Sequence, residues 1–200
     1  KMALGVGEKE VEFITNRYNE FKEIFPYLEL WDKDKLRELE PKLVYADKEQ
    51  TKDRPEPIVA MGAKDQYTTV DFGAMTKELA KAGQNADKSK TTDIFFNSEV
   101  EDIEKVGNKY KLTTVNGTVY TADFVVVNAG AHSLFLAHKM GYGKHMGSLS
   151  MAGSFYITNG QFLNGKVYMV QNDKLPFAAL HGDPDILENG KTRFGPTALA

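Results

Sequence analysis

The stretch that decides the fold is Asp123-Phe-Val-Val-Val-Asn-Ala-Gly-Ala-His-Ser133, an apolar run that ends in a turn of small residues. The run from Phe124 to Val127 has no polar alternation, which predicts a strand buried on both faces, as in a parallel sheet between helices. Its parallel neighbour would arrive through a crossover, whose nucleotide-binding version begins with Gly-x-Gly-x-x-Gly. Gly5-Val6-Gly7 comes closest, but Glu10 stands where the third glycine belongs and no apolar strand precedes it. We therefore expect an internal segment of a longer protein.

Composition sets the outer limits. With 200 residues, 42% of them hydrophobic, the chain can bury a core in one or two domains. Its 25 basic and 28 acidic residues offer no basic face for nucleic acid, so no nucleic-acid partner is expected. The absence of cysteine excludes disulfides, thiolate nucleophiles and cysteine-bound metals. No segment has the roughly 20 consecutive apolar residues of a membrane helix, so any membrane contact would be peripheral.

Four segments are predicted to be helical. Apolar residues recur every three or four positions between Glu8 and Pro26, which predicts an amphipathic helix. Asp32 is the expected N-cap of a helix over 33–40 that Pro41 stops. Asp71 is the expected N-cap of another, which begins at Phe72 and ends at Gly83; residues 133–140 form a further short helix.

Strands are predicted where β-branched and aromatic residues cluster between turn residues. Asn116-Gly117 predicts a hairpin, because both residues accept positive φ. Residues 45–57, charged and broken by two prolines, predict a loop. The expected strands, besides 124–127, are 58–61, 94–96, 100–106, 110–115, 118–121, 151–158, 166–171 and 177–181. Helices, a β meander, one buried strand and further β structure together predict a mixed α+β fold.

Six stretches carry a resemblance to a known family: Met2-Ala-Leu-Gly-Val-Gly-Glu-Lys-Glu-Val11, Tyr67-Thr-Thr-Val-Asp-Phe-Gly73, Val126-Val-Asn-Ala-Gly-Ala-His-Ser133, Ala152-Gly-Ser-Phe-Tyr156, Leu175-Pro-Phe-Ala-Ala-Leu-His-Gly-Asp-Pro-Asp185 and Lys191-Thr-Arg-Phe-Gly-Pro-Thr-Ala198. They resemble the flavin-dependent malate:quinone oxidoreductases, essentially from end to end. More broadly, the pattern is similar to the D-amino-acid oxidase and glycine oxidase superfamily, in which a nucleotide-binding domain and a substrate domain exchange segments along the chain.

The resemblance implies an FAD enzyme of the tricarboxylic acid cycle that oxidises malate to oxaloacetate and reduces quinone. It implies a mostly antiparallel substrate-domain sheet with flanking helices, formed by residues 1–70 and 146–200, and part of the FAD-binding domain in residues 71–145. It implies a cytoplasmic protein, or one held peripherally on the cytoplasmic face of a bacterial inner membrane. Since the family's N-terminal glycine-rich turn and C-terminal segment are missing, these residues alone are expected to be inactive and not to retain FAD.

The resemblance also implies cofactor contacts. Val100 would offer backbone groups to the adenine of FAD, although a buried strand valine is the alternative. Ala129 and Gly130 would pass close to the flavin, since small residues allow a close approach, although a plain strand-to-helix turn is equally open. Gly195 and Pro196 would lie beside the flavin.

Malate has two carboxylates and a secondary alcohol, so its site needs cationic groups and a base for the hydroxyl proton. Arg193 suits the first task through its bidentate fork, and His181 suits the second near neutral pH. These are the expected catalytic and substrate-binding residues, and Tyr156 and Gln171 are expected to line the pocket. Asp183 and Asp185 would orient His181 or, the reading we favour, form a solvated acidic turn. No metal is expected, since the histidines lack a convincing ligand spacing.

Two alternatives stay open. The first is another FAD-dependent 2-hydroxy-acid or amino-acid oxidoreductase, which substrate profiling of the full-length protein would distinguish. The second is a cofactor-free binding module, which start and stop codons at these boundaries in the gene would favour.

Overall fold

The chain divides into two units, one of residues 1–78 with 151–200 and one of residues 79–150. The computed structural model describes residues 1–66, 68–149, 152–171 and 179–199. Both units combine helices with antiparallel strands, and the larger sheet is mostly antiparallel. The predicted α+β class is therefore confirmed.

The first unit is built on a seven-stranded sheet. Its elements are β1 (Met2–Val6), α1 (Glu8–Phe21), β2 (Glu29–Trp31), α2 (Lys33–Leu39), α3 (Pro41–Val44), β3 (Ile58–Gly62) and, after the second unit, β7 (Ala152–Ile157), β8 (Val167–Met169), β9 (His181–Pro184) and β10 (Thr192–Leu199). The strand order is β2-β3-β1-β8-β9-β10-β7. Adjacent strands are antiparallel except β1 and β8, which run parallel, with Met2 opposite Val167.

The core of this unit lies on one face of the sheet. Side chains alternate along a strand, so Met2 and Leu4 share a face and pack with Leu36 of α2 and Val44 of α3, both fully buried. Each such side chain contributes about 1.5–3 kcal/mol by leaving water. Helix α1 covers the other face over β1 and β3.

The helix caps follow the sequence closely. Asp32 accepts a hydrogen bond from the N–H of Lys35 at 2.8 Å, and Asp71 accepts one from Ala74 at 3.0 Å, so both predicted N-caps are confirmed. Pro41 follows the end of α2, as predicted, and is also the first residue of α3. The first turn of a helix tolerates proline, because its N–H groups have no partner within the helix. Helix α1 ends at Phe21, short of Pro26, although Phe21 and Phe25 still stack at 6.0 Å.

A buried carboxylate joins the α2–α3 junction to the turn before β8. The side chain of Glu40 accepts hydrogen bonds from the N–H groups of Asn164 at 2.9 Å and Gly165 at 2.6 Å. Burial raises the pKa of Glu40, and these hydrogen bonds oppose that rise. Glu40 therefore holds together two segments that are far apart in sequence.

The second unit contains a three-stranded meander and a short helix. Its elements are most of α4 (Phe72–Asn85), then β4 (Val100–Val106), β5 (Lys109–Thr114), β6 (Val119–Ala122), a 3₁₀ turn (Gly130–His132) and α5 (Ser133–Lys139). The predicted hairpin forms between β5 and β6, but only Gly117 has positive φ, at 83°. The N–H of Gly117 donates to the carbonyl of Thr114, which lets the chain turn without a positive φ at Asn116.

The structure corrects the reading of residues 124–127. They form no strand, and Phe124 and Val126 are 78% and 76% exposed. No strand of the described residues pairs with this segment, so it has no ladder partner. An apolar run requires neighbours to become a buried strand, and these are absent from the described part of the chain.

Four further predictions were wrong or incomplete. Gly83 does not end α4, because a glycine within a helix costs only about 1 kcal/mol and the turn continues to Asn85. Residues 94–96 form no strand. The strand predicted over 177–181 instead begins at His181, and residues 177 and 178 lie outside the described residues. Strand β1 contains Gly5 and ends just before Gly7, the N-cap of α1, so an apolar strand does lead into the glycine pair.

Candidate functional site

One face of the larger sheet gathers chemically active side chains from three adjacent strands. Tyr168 of β8 lies opposite His181 of β9, and His181 lies opposite Gly195 of β10. Asp183 lies opposite Arg193. Directly paired residues share a face and residues two apart on a strand do too, so these side chains converge. We call this group, with Phe155 and Lys166 described below, the sheet-face cluster.

Arg193 is held by a buried carboxylate. Its Nη2 donates to Oδ2 of Asp183 at 2.7 Å, and Asp183 is only 1% exposed. This hydrogen bond raises the pKa of Arg193, so the guanidinium is charged at any accessible pH. The prediction that Asp183 lies in a solvated turn was therefore wrong, because strand pairing with β10 places its carboxylate under Arg193.

Asp185 lies next to the same guanidinium. Its Oδ2 is 3.7 Å from Nε of Arg193, while its Oδ1 accepts from the N–H groups of Leu187 and Glu188. These backbone hydrogen bonds lower the pKa of Asp185. Two buried polar atoms of the cluster, Arg193 Nε and Asp183 Oδ1, have no hydrogen-bond partner among the described residues. Each costs about 1–3 kcal/mol while unpaired, which favours a bound group that would satisfy them.

His181 has a defined tautomer. Its Nδ1 lies 3.1 Å from the carbonyl oxygen of Ala179, which can only accept, so Nδ1 carries the proton of the neutral ring. Nε2 then carries the lone pair that a base needs. The rings of Phe155 and Tyr168 lie 5.4 Å and 5.1 Å from the imidazole, which fixes its position between β7 and β8.

The structure does not bring every predicted site residue to this cluster. Tyr156 lies opposite Phe194, so it projects from the other face of the sheet and is exposed. Gln171 lies beyond the end of β8, where it lines a separate groove of about 750 Å³ beside α1. Phe155, the neighbour of Tyr156 that does face Arg193, lies 5.8 Å from its guanidinium.

Gly195 and Pro196 lie at the edge of the cluster, joined by a cis peptide bond. A Cβ at Gly195 would stand 2.8 Å from the carbonyl oxygen of Ser154 and 3.0 Å from the ring of Phe155. Packing against β7 therefore accounts for the glycine, and the flavin contact of both residues stays a prediction.

In the second unit, two predicted cofactor residues line one groove. Val100 and Ala129 lie on the wall of a cavity of about 810 Å³, together with Val125 to Val127 and Leu136. Gly130 has a φ of 57° and an added Cβ there would meet nothing within 4 Å. The walls are mainly apolar, and the wall formed by 125–129 belongs to no sheet.

Sequence reasoning missed Lys166. Its Nζ lies 3.9 Å from Oδ1 of Asp183 and 5.2 Å from the ring of Tyr168. The spacing Lys166-Val-Tyr168 would have placed both side chains on one strand face, and the burial of Val167 indicates which face is the core.

Two kinds of feature are absent from the described residues. No group of three or more histidine, aspartate or glutamate side chains in them is arranged to hold a metal ion. No helix in the same part of the chain combines the length and the apolar character that a membrane span requires.

Solved structures of two other proteins share this fold. It matches glycine oxidase from Bacillus cereus with a TM-score of 0.71 and 20% identity, over 99% of this chain and 48% of that one. It also matches L-proline dehydrogenase from P. horikoshii with a TM-score of 0.69 and 16% identity, over 100% and 50%. At these identities the likeness concerns the fold.

The sequence identifies the family within that fold. The family model for malate:quinone oxidoreductase (Mqo) matches residues 1–198, and the chain belongs to this family. It is 52% identical to a probable malate:quinone oxidoreductase of Campylobacter jejuni and 46% identical to the malate:quinone oxidoreductase of Helicobacter pylori. Each match covers 100% of this chain but only 44% and 43% of the relative, so the chain spans less than half their length.

Proposed function

We propose that these residues form part of an FAD-dependent enzyme that oxidises (S)-malate to oxaloacetate and passes the electrons to quinone. The observation that carries the proposal is the convergence of His181, Arg193 and Asp183 on one sheet face in a chain of the Mqo family. A base and a fixed cation are what a hydroxy acid requires.

Arg193 would bind a carboxylate of malate. Asp183 fixes one edge of the guanidinium, so the side chain is oriented before the substrate arrives. A planar fork then recognises a carboxylate in one orientation, which places the hydroxyl-bearing carbon.

His181 would take the hydroxyl proton. Since Nδ1 donates to Ala179, Nε2 is the atom that accepts. Removal of this proton makes the alcohol a better donor of the hydrogen on its carbon. The rings of Phe155 and Tyr168 limit the motion of the imidazole and exclude water from part of its surface.

The groove of the second unit fits part of an FAD molecule. Its mainly apolar walls suit an adenine ring, with Val100, Ala129 and Gly130 as the residues that would hold the cofactor, and Gly130 leaves space for a close approach. When bound, FAD would supply the acceptor for the two electrons and the hydrogen that leave malate, and would reduce quinone. We accordingly assign residues 79–150 to the FAD-binding domain and the sheet-bearing unit to the substrate domain.

A quinone partner would bring the enzyme to a membrane, because quinones dissolve in the bilayer. We therefore propose peripheral attachment to the cytoplasmic face of a bacterial inner membrane.

The test is malate-dependent reduction of a quinone analogue by the full-length protein with added FAD. Arg193→Lys keeps the charge and removes the fork, so we expect the kcat/KM for malate to fall about 10- to 100-fold. Arg37→Lys is the matched control, since Arg37 also binds two aspartates and is equally exposed, 33% against 32%, but lies on α2.

Other outcomes would redirect the assignment. FAD binding without malate oxidation would indicate another 2-hydroxy-acid or amino-acid oxidoreductase. A full-length protein that binds no FAD would favour the cofactor-free binding module.

A further inference from the structure

Lys166 is an unusually enclosed lysine on the sheet-face cluster. Its side chain is only 15% exposed, whereas lysine is among the residues least often buried. The ring of Tyr168 covers it at 5.2 Å, a distance typical of a cation–π contact. The carboxylate of Asp183 lies 3.9 Å away, beyond hydrogen-bond distance. Lys166 therefore has an ion pair that does not take up its hydrogen-bonding capacity.

Asp183 stands between two cations. Its Oδ2 accepts from Arg193 at 2.7 Å, and its Oδ1 faces Lys166 without accepting a hydrogen bond. One carboxylate cannot neutralise both, so the three groups carry a net positive charge. Of these two cations, Asp185 is close to Arg193 alone, and it already accepts two backbone N–H groups, which leaves Lys166 as the less compensated cation.

We propose that Lys166 is the second cation of the substrate site and selects for a dicarboxylate. Arg193 would bind the carboxylate next to the hydroxyl-bearing carbon, and Lys166 the distant one. Lys166 and Arg193 contact opposite oxygens of Asp183. The distance between the two cations is therefore set by the width of that carboxylate and the lengths of the two contacts, which suits the two ends of a four-carbon diacid. This inference rests on the proposed malate oxidation and adds the residue that would distinguish malate from monocarboxylic hydroxy acids.

The selectivity follows from pairing. A substrate that lacks the second carboxylate leaves the hydrogen-bonding capacity of an enclosed ammonium unused, and this costs binding energy. A malate molecule would satisfy both cations. The ratio of kcat/KM for malate to that for 2-hydroxybutyrate, which has a methyl group in place of the distant carboxylate, therefore reports on Lys166 alone.

The test uses the full-length protein with FAD and the variant Lys166→Met, which keeps an unbranched side chain against Tyr168. We expect the kcat/KM for malate to fall about 10- to 100-fold while that for 2-hydroxybutyrate does not fall, so the ratio collapses. Arg193→Lys should lower both. Lys64→Met is the control, since Lys64 also pairs with a carboxylate, that of Glu29 at 3.4 Å, outside the cluster.

A binding measurement separates this inference from the proposed activity. Succinate, a diacid without the hydroxyl, should raise the unfolding temperature of the wild type more than butyrate does, and Lys166→Met should abolish the difference. Lys166→Arg, which keeps the charge, should restore it even if the Met variant is destabilised. Equal effects on both substrates and both ligands would overturn the role of Lys166, whereas a wild type inert toward malate would overturn the proposed function and leave the succinate result to decide Lys166.

Discussion

At the residue scale, the Arg193–Asp183 pair organises the candidate site. Asp183 is almost fully buried, so its charge is compensated by Arg193 and Lys166 alone among the described residues within 4 Å. Neither spacing nor composition predicts this pair, because the two residues meet only through the register of β9 and β10. The sequence predicts that Arg193 binds a carboxylate, but strand pairing determines that Asp183 is its hydrogen-bond partner.

Asp183→Asn is expected to act through Arg193. An amide is a weaker acceptor than a carboxylate, so the guanidinium loses its fixed orientation and the KM for malate should rise about tenfold, the effect of one charge-assisted hydrogen bond. The kcat should change little, since Asp183 does not touch His181 Nε2. Steady-state kinetics of the full-length enzyme would measure both. A fall in kcat with an unchanged KM would assign Asp183 to the chemical step instead.

At the element scale, most local signals were reliable, although Gly83 did not end α4 and residues 94–96 formed no strand. Signals that depend on distant residues were less reliable. Helix α2 and the meander β4–β6 were predicted, because a cap at Asp32 and a turn at Asn116-Gly117 act within a few residues. Strands β2 and β8 have three residues each and depend on partners distant in sequence, so their extent could not be read locally. The family resemblance predicted His181 as the base and Arg193 as the cation. Only the pairing of β9 with β10 shows that both side chains lie on one face of the sheet.

Substitution of two glycines by alanine, one on a strand and one in a helix, should change the free energy of unfolding in opposite directions. A Cβ at Gly62 on β3 would stand 2.0 Å from Cζ3 of Trp31, so Gly62→Ala should destabilise the protein by about 1–3 kcal/mol. Gly83 lies in α4 with nothing within 4 Å of an added Cβ, so Gly83→Ala should stabilise by about 0.5–1 kcal/mol. Denaturant titrations of both variants would measure the two changes. Equal shifts would mean that Trp31 moves aside.

The segment 124–127 should exchange its amide hydrogens quickly in the 200-residue chain, because no strand of the described residues pairs with it. The full-length protein should protect the same amides if a further strand lies there. Hydrogen exchange with β5 as the internal control would compare them, since β5 has partners on both edges. Strong protection of 124–127 in the monomeric 200-residue chain would contradict the expectation.

At the scale of the whole molecule, Glu40 makes stability depend on pH. Burial raises its pKa above the ordinary value of 4.5, so the folded state binds a proton more tightly than the unfolded state. The stability from this group is full below that value and declines as pH rises through the raised pKa. Glu40→Gln mimics the protonated acid and should remove this decline.

The measurement compares unfolding temperatures of wild type and Glu40→Gln in the full-length protein as pH rises from about 4.5 to 7. Across this pH range, the unfolding temperature of the variant should rise relative to that of the wild type. Glu38→Gln, at an exposed carboxylate in the last turn of α2, should show no such trend. If the unfolding temperature of the wild type instead rises relative to that of Glu40→Gln, the two backbone hydrogen bonds affect the pKa of Glu40 more than burial does.

The parallel contact between β1 and β8 has a consequence for the order of synthesis. Strands β2, β3 and β1 can assemble from the first 62 residues, but the other edge of β1 must wait for Val167 to Met169. Throughout translation of the 79–150 unit, the nascent chain therefore presents an open strand edge, the kind of surface that pairs with the wrong partner. Chaperone demand on the ribosome should be greatest in that interval.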